Sequence, residues 1–426
     1  MKLTARAGRP LIGEAAVPGD KSCSHRALIL GGIADGDTRI TGLLESADVL
    51  ATARAVEAFG ARVEKDGADW LVRGEPWRSP DGPVDCGNSG TAARLLMGAV
   101  AGMPGVLATF TGDASLSSRP MKRVVAPLER MGAVIEGGER LPITVAGSRL
   151  GGIEHRNIPA SAQVKSAILL AGLGTGAPVS IIEPVPSRDH TEIMFRQFGC
   201  DVRLESDSIL LSDQRRLQGC EIRVGSDPSS AAFPLVAAAV VPGSDVIVRG
   251  MLVNPHRTGL YEVLEQMGAN IELSDERTQS GEIIADVRIR HSSLGPCHVR
   301  PEQIPSMIDE IPALAVACAF ADGESAIEGL AELRVKESDR LGAMIAGLNS
   351  CGVTALADGD TLRIFGRGRV RGGARIATQG DHRIAMAFLV LGLGAEQPVE
   401  VDEAEMIGTS FPGFVEVMKS IGADIE

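Results

Sequence analysis

The segment Ala55-Val56-Glu57-Ala58-Phe59-Gly60-Ala61-Arg62-Val63 reads as the end of an amphipathic helix, a glycine, and the start of a strand. Glycine belongs there because a helix end often needs a residue that accepts the left-handed conformation. The same phrase recurs in PLERMGAVI (127–135), FRQFGCDV (195–202), VLEQMGANI (263–271), GLNSCGVTA (347–355) and VMKSIGADI (417–425). Its glycines are Gly60, Gly132, Gly199, Gly268, Gly352 and Gly422, at intervals of 67 to 84 residues. Six units of about 70 residues therefore fill the 426-residue chain. Solenoid repeats are shorter, about 20–50 residues, so the pattern predicts globular halves instead.

Each unit also carries an earlier helix, apolar all round and hence buried. These are RALILGGIA (26–34), ARLLMGAVAG (93–102), SAILLAGLG (166–174), AAFPLVAAAVV (231–241), IPALAVACAFA (311–321) and IAMAFLVLGLG (384–394). The second helix is amphipathic and covers the outside. Turn signals such as Lys65-Asp66-Gly67 and Ala357-Asp358-Gly359-Asp360 close hairpins after it. The expected unit is strand, buried helix, strand, outer helix, hairpin. Three units make each half, with crossovers near Val17-Pro18-Gly19 and Val224-Gly225-Ser226-Asp227-Pro228. The domains read as 1–17 plus 228–426, and 18–227, with a ligand site expected in the cleft between them.

Composition narrows the function. Apolar residues make up 44%, so the chain folds into a core. The N-terminus lacks the apolar stretch of a signal peptide, and runs such as Ile311 to Ala321 are too short to cross a bilayer. Seven cysteines without a CxxC pair fit a reducing cytoplasm and neither a disulfide framework nor a zinc site. A net charge of -13 with 3% aromatics disfavours nucleic acid.

The unusual polar segments open helices. Buried helices follow GDKSCSHR (19–26), GNSGTAAR (87–94), SAQVKS (161–166), SMIDE (306–310) and GDHR (380–383). Outer helices follow SRPMKR (118–123), SRDHTE (187–192) and KESDR (336–340). One such segment reads as an ordinary cap. The whole set, in step with the repeat and rich in Lys and Arg, reads as a site for a small, multiply anionic ligand, because helix N-termini attract anions. Gly13 to Ser22 fails the phosphate-loop spacing, with five residues between Gly13 and Gly19. Gly172 to Gly176 follows a helix and is no dinucleotide fingerprint. His25, His190 and His382 are expected as hydrogen-bonding supports, and Cys23 and Cys86 as buried thiols.

Taken together, GNSGTAAR, LRVKESDR (333–340), GDHRIAM (380–386) and TSFPGF (409–414) closely resemble the EPSP synthase (3-phosphoshikimate 1-carboxyvinyltransferase) family over nearly the whole chain. SAQVKSA, SRDHTE, SMIDE and TSFPGF resemble its class II bacterial branch. The resemblance implies an α/β, two-domain enolpyruvyl transferase fold of six βαβαββ repeats with the active site in the interdomain cleft. It implies transfer of the enolpyruvyl group of phosphoenolpyruvate to the 5-hydroxyl of shikimate 3-phosphate by addition and elimination, on the path to chorismate and the aromatic amino acids. No metal or organic cofactor is implied; the chain is expected as a cytoplasmic monomer that glyphosate inhibits.

The same resemblance assigns roles. Lys21 touches both substrates and shuttles protons, its proton affinity lowered by desolvation among other cations. Ser22 and Arg26 hold the carboxylate of shikimate 3-phosphate. Ser161, Ala162 and Gln163 take its phosphate and ring side, Arg188 lies against the ring, and Lys336 binds the same molecule. Arg119, Arg340 and Arg383 clamp phosphoenolpyruvate, which Asn88, Gly90 and Gln163 also face. Asp309 is the base for the hydroxyl and touches shikimate 3-phosphate, Glu337 is the acid/base at the methylene carbon, and Asp48 positions them. Standing alone, Asp309 and Glu337 would read as helix N-terminal charge. Gly408 and Thr409 stand where many relatives carry a lysine, and Glu332 where others carry Asn. The sister UDP-N-acetylglucosamine enolpyruvyl transferase carries a loop cysteine, which Ser115 to Arg123 lacks. A non-catalytic scaffold would show apolar outer helices, whereas these are charged. The two crossovers predict an open form that closes when shikimate 3-phosphate bridges the halves.

Overall fold

The six phrase-ending glycines share one conformation. In the computed structural model, which describes residues 1–426, their φ angles lie between +84° and +113°. Each stands two residues past the last residue of an outer helix, after the C-cap, and turns the chain toward a strand. A side chain there would meet its own carbonyl, which is why glycine marks the repeat.

Thirteen α-helices result. Those of the first part are α1 (Lys21–Ile33), α2 (Ala47–Ala58), α3 (Gly90–Ala101), the short α4 (Ala114–Ser118), α5 (Lys122–Arg130), α6 (Ala162–Gly172) and α7 (His190–Gln197). Those of the second are α8 (Pro228–Val240), α9 (Gly259–Gln266), α10 (Ile311–Phe320), α11 (Arg340–Ser350), α12 (His382–Gly394) and α13 (Phe414–Ser420). The apolar helices α8, α10 and α12 are buried nearly end to end. The SRPMKR segment does not open its outer helix directly. Asp113 first caps α4, and α5 begins only at Lys122, because Pro120 breaks the helical run.

Six four-stranded sheets accompany the helices. Each has one parallel edge pairing and two antiparallel ones, as in Glu221–Arg223 beside Gly36–Thr41, then Asp69–Gly74, then Arg62–Asp66. The repeats are not all consecutive blocks. The sheet around α1 and α2 takes Glu221–Arg223 from far along the chain. The last sheet is completed by Leu3–Arg6 from the N-terminus, and Ile12–Glu14 joins Asp245–Leu252. Glu221–Arg223 and Ile12–Glu14 supply parallel edges, which need a strand from beyond the local hairpin, whereas Leu3–Arg6 pairs antiparallel with both its neighbours.

The chain divides into two units. One holds Met1–Asp20, Gly225–Thr278 and Ile283–Glu426; the other holds Lys21–Val224 with Gln279–Glu282. The core of the first is a continuous apolar cluster built on α8, α10 and α12. In the second, α3 packs along α6 closely enough that Gly98 and Gly102 leave no room for a side chain against the Ala167 and Ala171 backbone.

Candidate active site

Within the Lys21–Val224 unit the starts of α1, α3, α6 and α7 are tied to one another by side chains. Lys21, at the first turn of α1, bonds Asp48 in the first turn of α2, which Ser46 caps. A carboxylate thus holds the Lys21 ammonium, where the sequence suggested a setting of cations. Arg26 is 3% exposed. Its Nε donates to Thr191 Oγ1 at 2.7 Å, Nη2 to Ser166 Oγ at 2.8 Å and Nη1 to the Ser22 carbonyl at 2.9 Å. The guanidinium joins three helix starts. His25 connects α1 to α2 and α3 through Thr52 and Ser89, at 2.7 and 3.3 Å. Both ring nitrogens are engaged in support, as the sequence suggested.

Asn88 and Arg119 form a second pair. Arg119 Nη2 donates to Asn88 Oδ1 at 2.7 Å and to Ser115 Oγ at 3.0 Å, while Asn88 Nδ2 donates to Asp113 at 2.7 Å. Ser89 caps α3, and Gly90 is its first residue. Gln163 is the second residue of α6, where Ser161 is the cap. Its Oε1 accepts from Arg94 Nη1 at 2.8 Å and its Nε2 donates to Thr91 Oγ1 at 2.9 Å. Arg94 and Thr91 were not among the assigned residues. The signal was their place in GNSGTAAR, Thr91 directly after Gly90 and Arg94 one turn further along the same helix. Ser22, Ala162 and Arg188 are half-buried at the starts of α1 and α6 and just before α7. Cys86 is fully buried, and burial pushes its thiol up to about 12, so it offers no thiolate.

The other unit gathers opposite charges more densely. Arg340, the first residue of α11, is 1% exposed. Its Nε donates to Asp381 at 2.8 Å, Nη2 bonds Glu337, and Nη1 lies 3.4 Å from Asp309. Lys336 Nζ lies 3.5 Å from the same Asp309 oxygen. Arg383 Nη1 donates to the Asp309 carbonyl at 2.9 Å, while its own backbone N–H is capped by Asp381 at 2.9 Å. Burial raises the Asp381 carboxyl, and the Arg340 guanidinium outweighs it, leaving Asp381 below the usual carboxylate range. Asp309, Lys336, Glu337, Arg340 and Arg383 are therefore one cluster, and Asp381 is the member that sequence reading left out. It was visible only as a cap in GDHR. Thr409 lies 3.4 Å from His382 Nδ1, and a Cβ at Gly408 would meet nothing within 4 Å.

Two sets of helix starts with fixed cations and carboxylates, on six small sheets, define an enolpyruvyl transferase. The EPSP synthase (3-phosphoshikimate 1-carboxyvinyltransferase) family profile matches residues 5–418, and the chain belongs to that family. Its activity is that of a 3-phosphoshikimate 1-carboxyvinyltransferase of the shikimate pathway. The 3-phosphoshikimate 1-carboxyvinyltransferase of Phenylobacterium zucineum is 53% identical over 432 residues, covering 99% of this chain and 95% of that one. The solved EPSP synthase of Acinetobacter baumannii is 41% identical and covers 100% of this chain and 99% of its own, with a TM-score of 0.88. The enolpyruvyl transferase NikO of Streptomyces tendae, at 18% identity and a TM-score of 0.81, covers 100% of this chain and 98% of its own and shares the fold.

Proposed function

We propose that both residue sets serve one reaction, the transfer from phosphoenolpyruvate to the 5-hydroxyl of shikimate 3-phosphate. The observation that carries this reading is the Arg340 centre, where one buried guanidinium holds Glu337, Asp309 and Asp381. Arginine keeps its charge at any working pH and its planar fork fixes direction. It therefore sets the acid/base pair in a defined geometry. Asp309 takes the hydroxyl proton as the oxygen bonds to the central carbon of phosphoenolpyruvate, Glu337 delivers a proton to the methylene carbon, and Glu337 takes a proton back from the resulting methyl group as the C–O bond to phosphate breaks.

Binding falls to the cations and helix starts. Lys21, Ser22, Arg26, Ser161, Ala162, Gln163, Arg188, Asp309 and Lys336 hold shikimate 3-phosphate. Lys21, Asn88, Gly90, Arg119, Gln163, Arg340 and Arg383 hold phosphoenolpyruvate. Arg26 acts from below, by fixing Ser22, Ser166 and Thr191. Asp48 orients Lys21, which passes protons while paired. Glyphosate competes for the phosphoenolpyruvate residues. The division at Asp20/Lys21 and Val224/Gly225 supports a two-domain enzyme that closes on shikimate 3-phosphate, with one chain supplying every residue named. No helix is long and apolar enough to cross a membrane, and all seven cysteines are free thiols, which supports a cytoplasmic enzyme.

The test is phosphate release. Release that needs shikimate 3-phosphate and phosphoenolpyruvate together is the expected result. Release from phosphoenolpyruvate alone, at the same rate, would overturn the reading.

A further inference from the structure

Lys165 and Ser166 are neighbours on α6, and both are buried. Ser166 belongs to the Arg26 set. Lys165 belongs to a different one, which no step of the reaction uses. Its ammonium, 1% exposed, donates to Glu183 Oε2 at 2.7 Å and to the Ser187 carbonyl at 3.2 Å, and lies 2.8 Å from Glu192 Oε1. Burial works against that ammonium, and the two carboxylates outweigh it, so Lys165 stays charged. A buried cluster of this kind is weak evidence for stability, because desolvation offsets attraction. Its geometry suggests what else it does.

Glu183 follows the strand Val179–Ile182 and receives four donors from three segments. Oε1 accepts from Ser187 Oγ at 2.6 Å and from Asn157 Nδ2 at 2.5 Å. Oε2 accepts from Lys165 and, at 3.3 Å, from the Ser187 N–H. Asn157 Nδ2 also reaches the Ser161 carbonyl at 3.1 Å. The segments so fixed, 157–161 and 184–189, lie outside helices and strands. One ends at Ser161, beside Ala162 and Gln163. The other contains Arg188. Beyond one backbone bond, from the Asn157 N–H to the Ile182 carbonyl at 2.9 Å, no ladder holds them in place, and one carboxylate reaches both.

We infer that Glu183, held by Lys165, is a positioning residue for shikimate 3-phosphate, fixing Ser161 and Arg188 at the spacing that ligand requires. This rests on the binding roles proposed above.

The test is Glu183→Gln in the full-length protein, with calorimetric binding of shikimate 3-phosphate and steady-state kinetics. Loss of the supporting partner behind a metal ligand weakens affinity about 10- to 100-fold, and an effect of that order is expected for the supported binding groups here. The expected result is that loss in shikimate 3-phosphate affinity, with KM for phosphoenolpyruvate and kcat at saturation little changed. Glu192→Gln shares the Lys165 partner yet fixes neither segment, so its affinity for shikimate 3-phosphate should stay near wild type. Equal weakening by both variants, or a lower Tm with unchanged affinity in Glu183→Gln, would overturn the inference. If Glu183→Gln does not fold, Ser187→Ala removes one donor only, and unchanged affinity there would overturn it too. A wild-type chain that fails to bind shikimate 3-phosphate removes the underlying reading, a result separate from any variant.

Discussion

The Lys21–Val224 unit and the remainder of the chain hold charge in opposite ways. In the first, three arginines are tethered by neutral groups, Arg26 by Thr191 and Ser166, Arg119 by Asn88 and Ser115, Arg94 by Gln163, while Lys21 and Lys165 pair with carboxylates. In the second, Arg340 alone touches three carboxylates, with Lys336 and Arg383 on the same Asp309. Neutral tethers hold a cation in place while leaving its charge for a ligand. Carboxylate tethers use up that charge and hold proton-exchanging groups in return. On the reading proposed above, the arginines of the first set grip substrate, while the second set both grips substrate and moves protons.

The sharpest way to break this division is Glu337→Gln. If the second set carries the chemistry, kcat falls by about 10²- to 10⁴-fold, the usual worth of a positioned acid or base, while both substrates still bind. A mere helix-start role would leave turnover intact and cost a little stability.

Next comes Arg340→Leu, which strands three carboxylates. Removing one partner of a buried pair costs about 3–5 kcal/mol, measurable by urea denaturation. The pH dependence has a fixed sign. Asp381 is held below the ordinary carboxylate range, so its contribution is present above about pH 4 and is lost as pH falls through its folded value. The stability gap between wild type and Arg340→Leu should therefore narrow below about pH 4. A gap that widens on acidification would count against the charge assignment.

A smaller effect probes the first set. A Cβ on Gly90 would lie 2.5 Å from Arg94 Nη1 and 3.6 Å from Arg119 Nη1. The nearer atom ends a flexible side chain, so Gly90→Ala should fold and push Arg94 away from Gln163. We expect a modest rise in KM for phosphoenolpyruvate and weaker glyphosate inhibition by about tenfold or more, in the range that one extra carbon commands in a tight pocket. Wild-type turnover untouched by millimolar glyphosate would undo this prediction. Smallest is Ser161→Ala. It removes the α6 cap, a loss of about 1 kcal/mol in thermal melts, with weaker binding of shikimate 3-phosphate and unchanged kcat.

Much of this was legible in the chain. Gly60 and its five counterparts marked every outer helix end, because a left-handed turn narrows the choice of residue. The six apolar helices stood out because only burial suits a helix without a polar face. Individual candidate residues were legible where they opened a helix, as with Lys21, Asn88, Ser161 and Arg383. Less legible were Arg94, Asp381 and Glu183, each of which works by reaching a residue distant in sequence.

The sequence by itself determined the repeat, the buried and outer helices, and the polar helix starts, since each depends on residues within a turn or two of one another. Only the tertiary structure decided which partner each charge received. Lys21 found a carboxylate, Arg340 found three, and the last sheet found its missing strand at the opposite end of the chain. Local conformation follows from neighbours along the backbone, whereas pairing depends on distances that exist only once the core has closed.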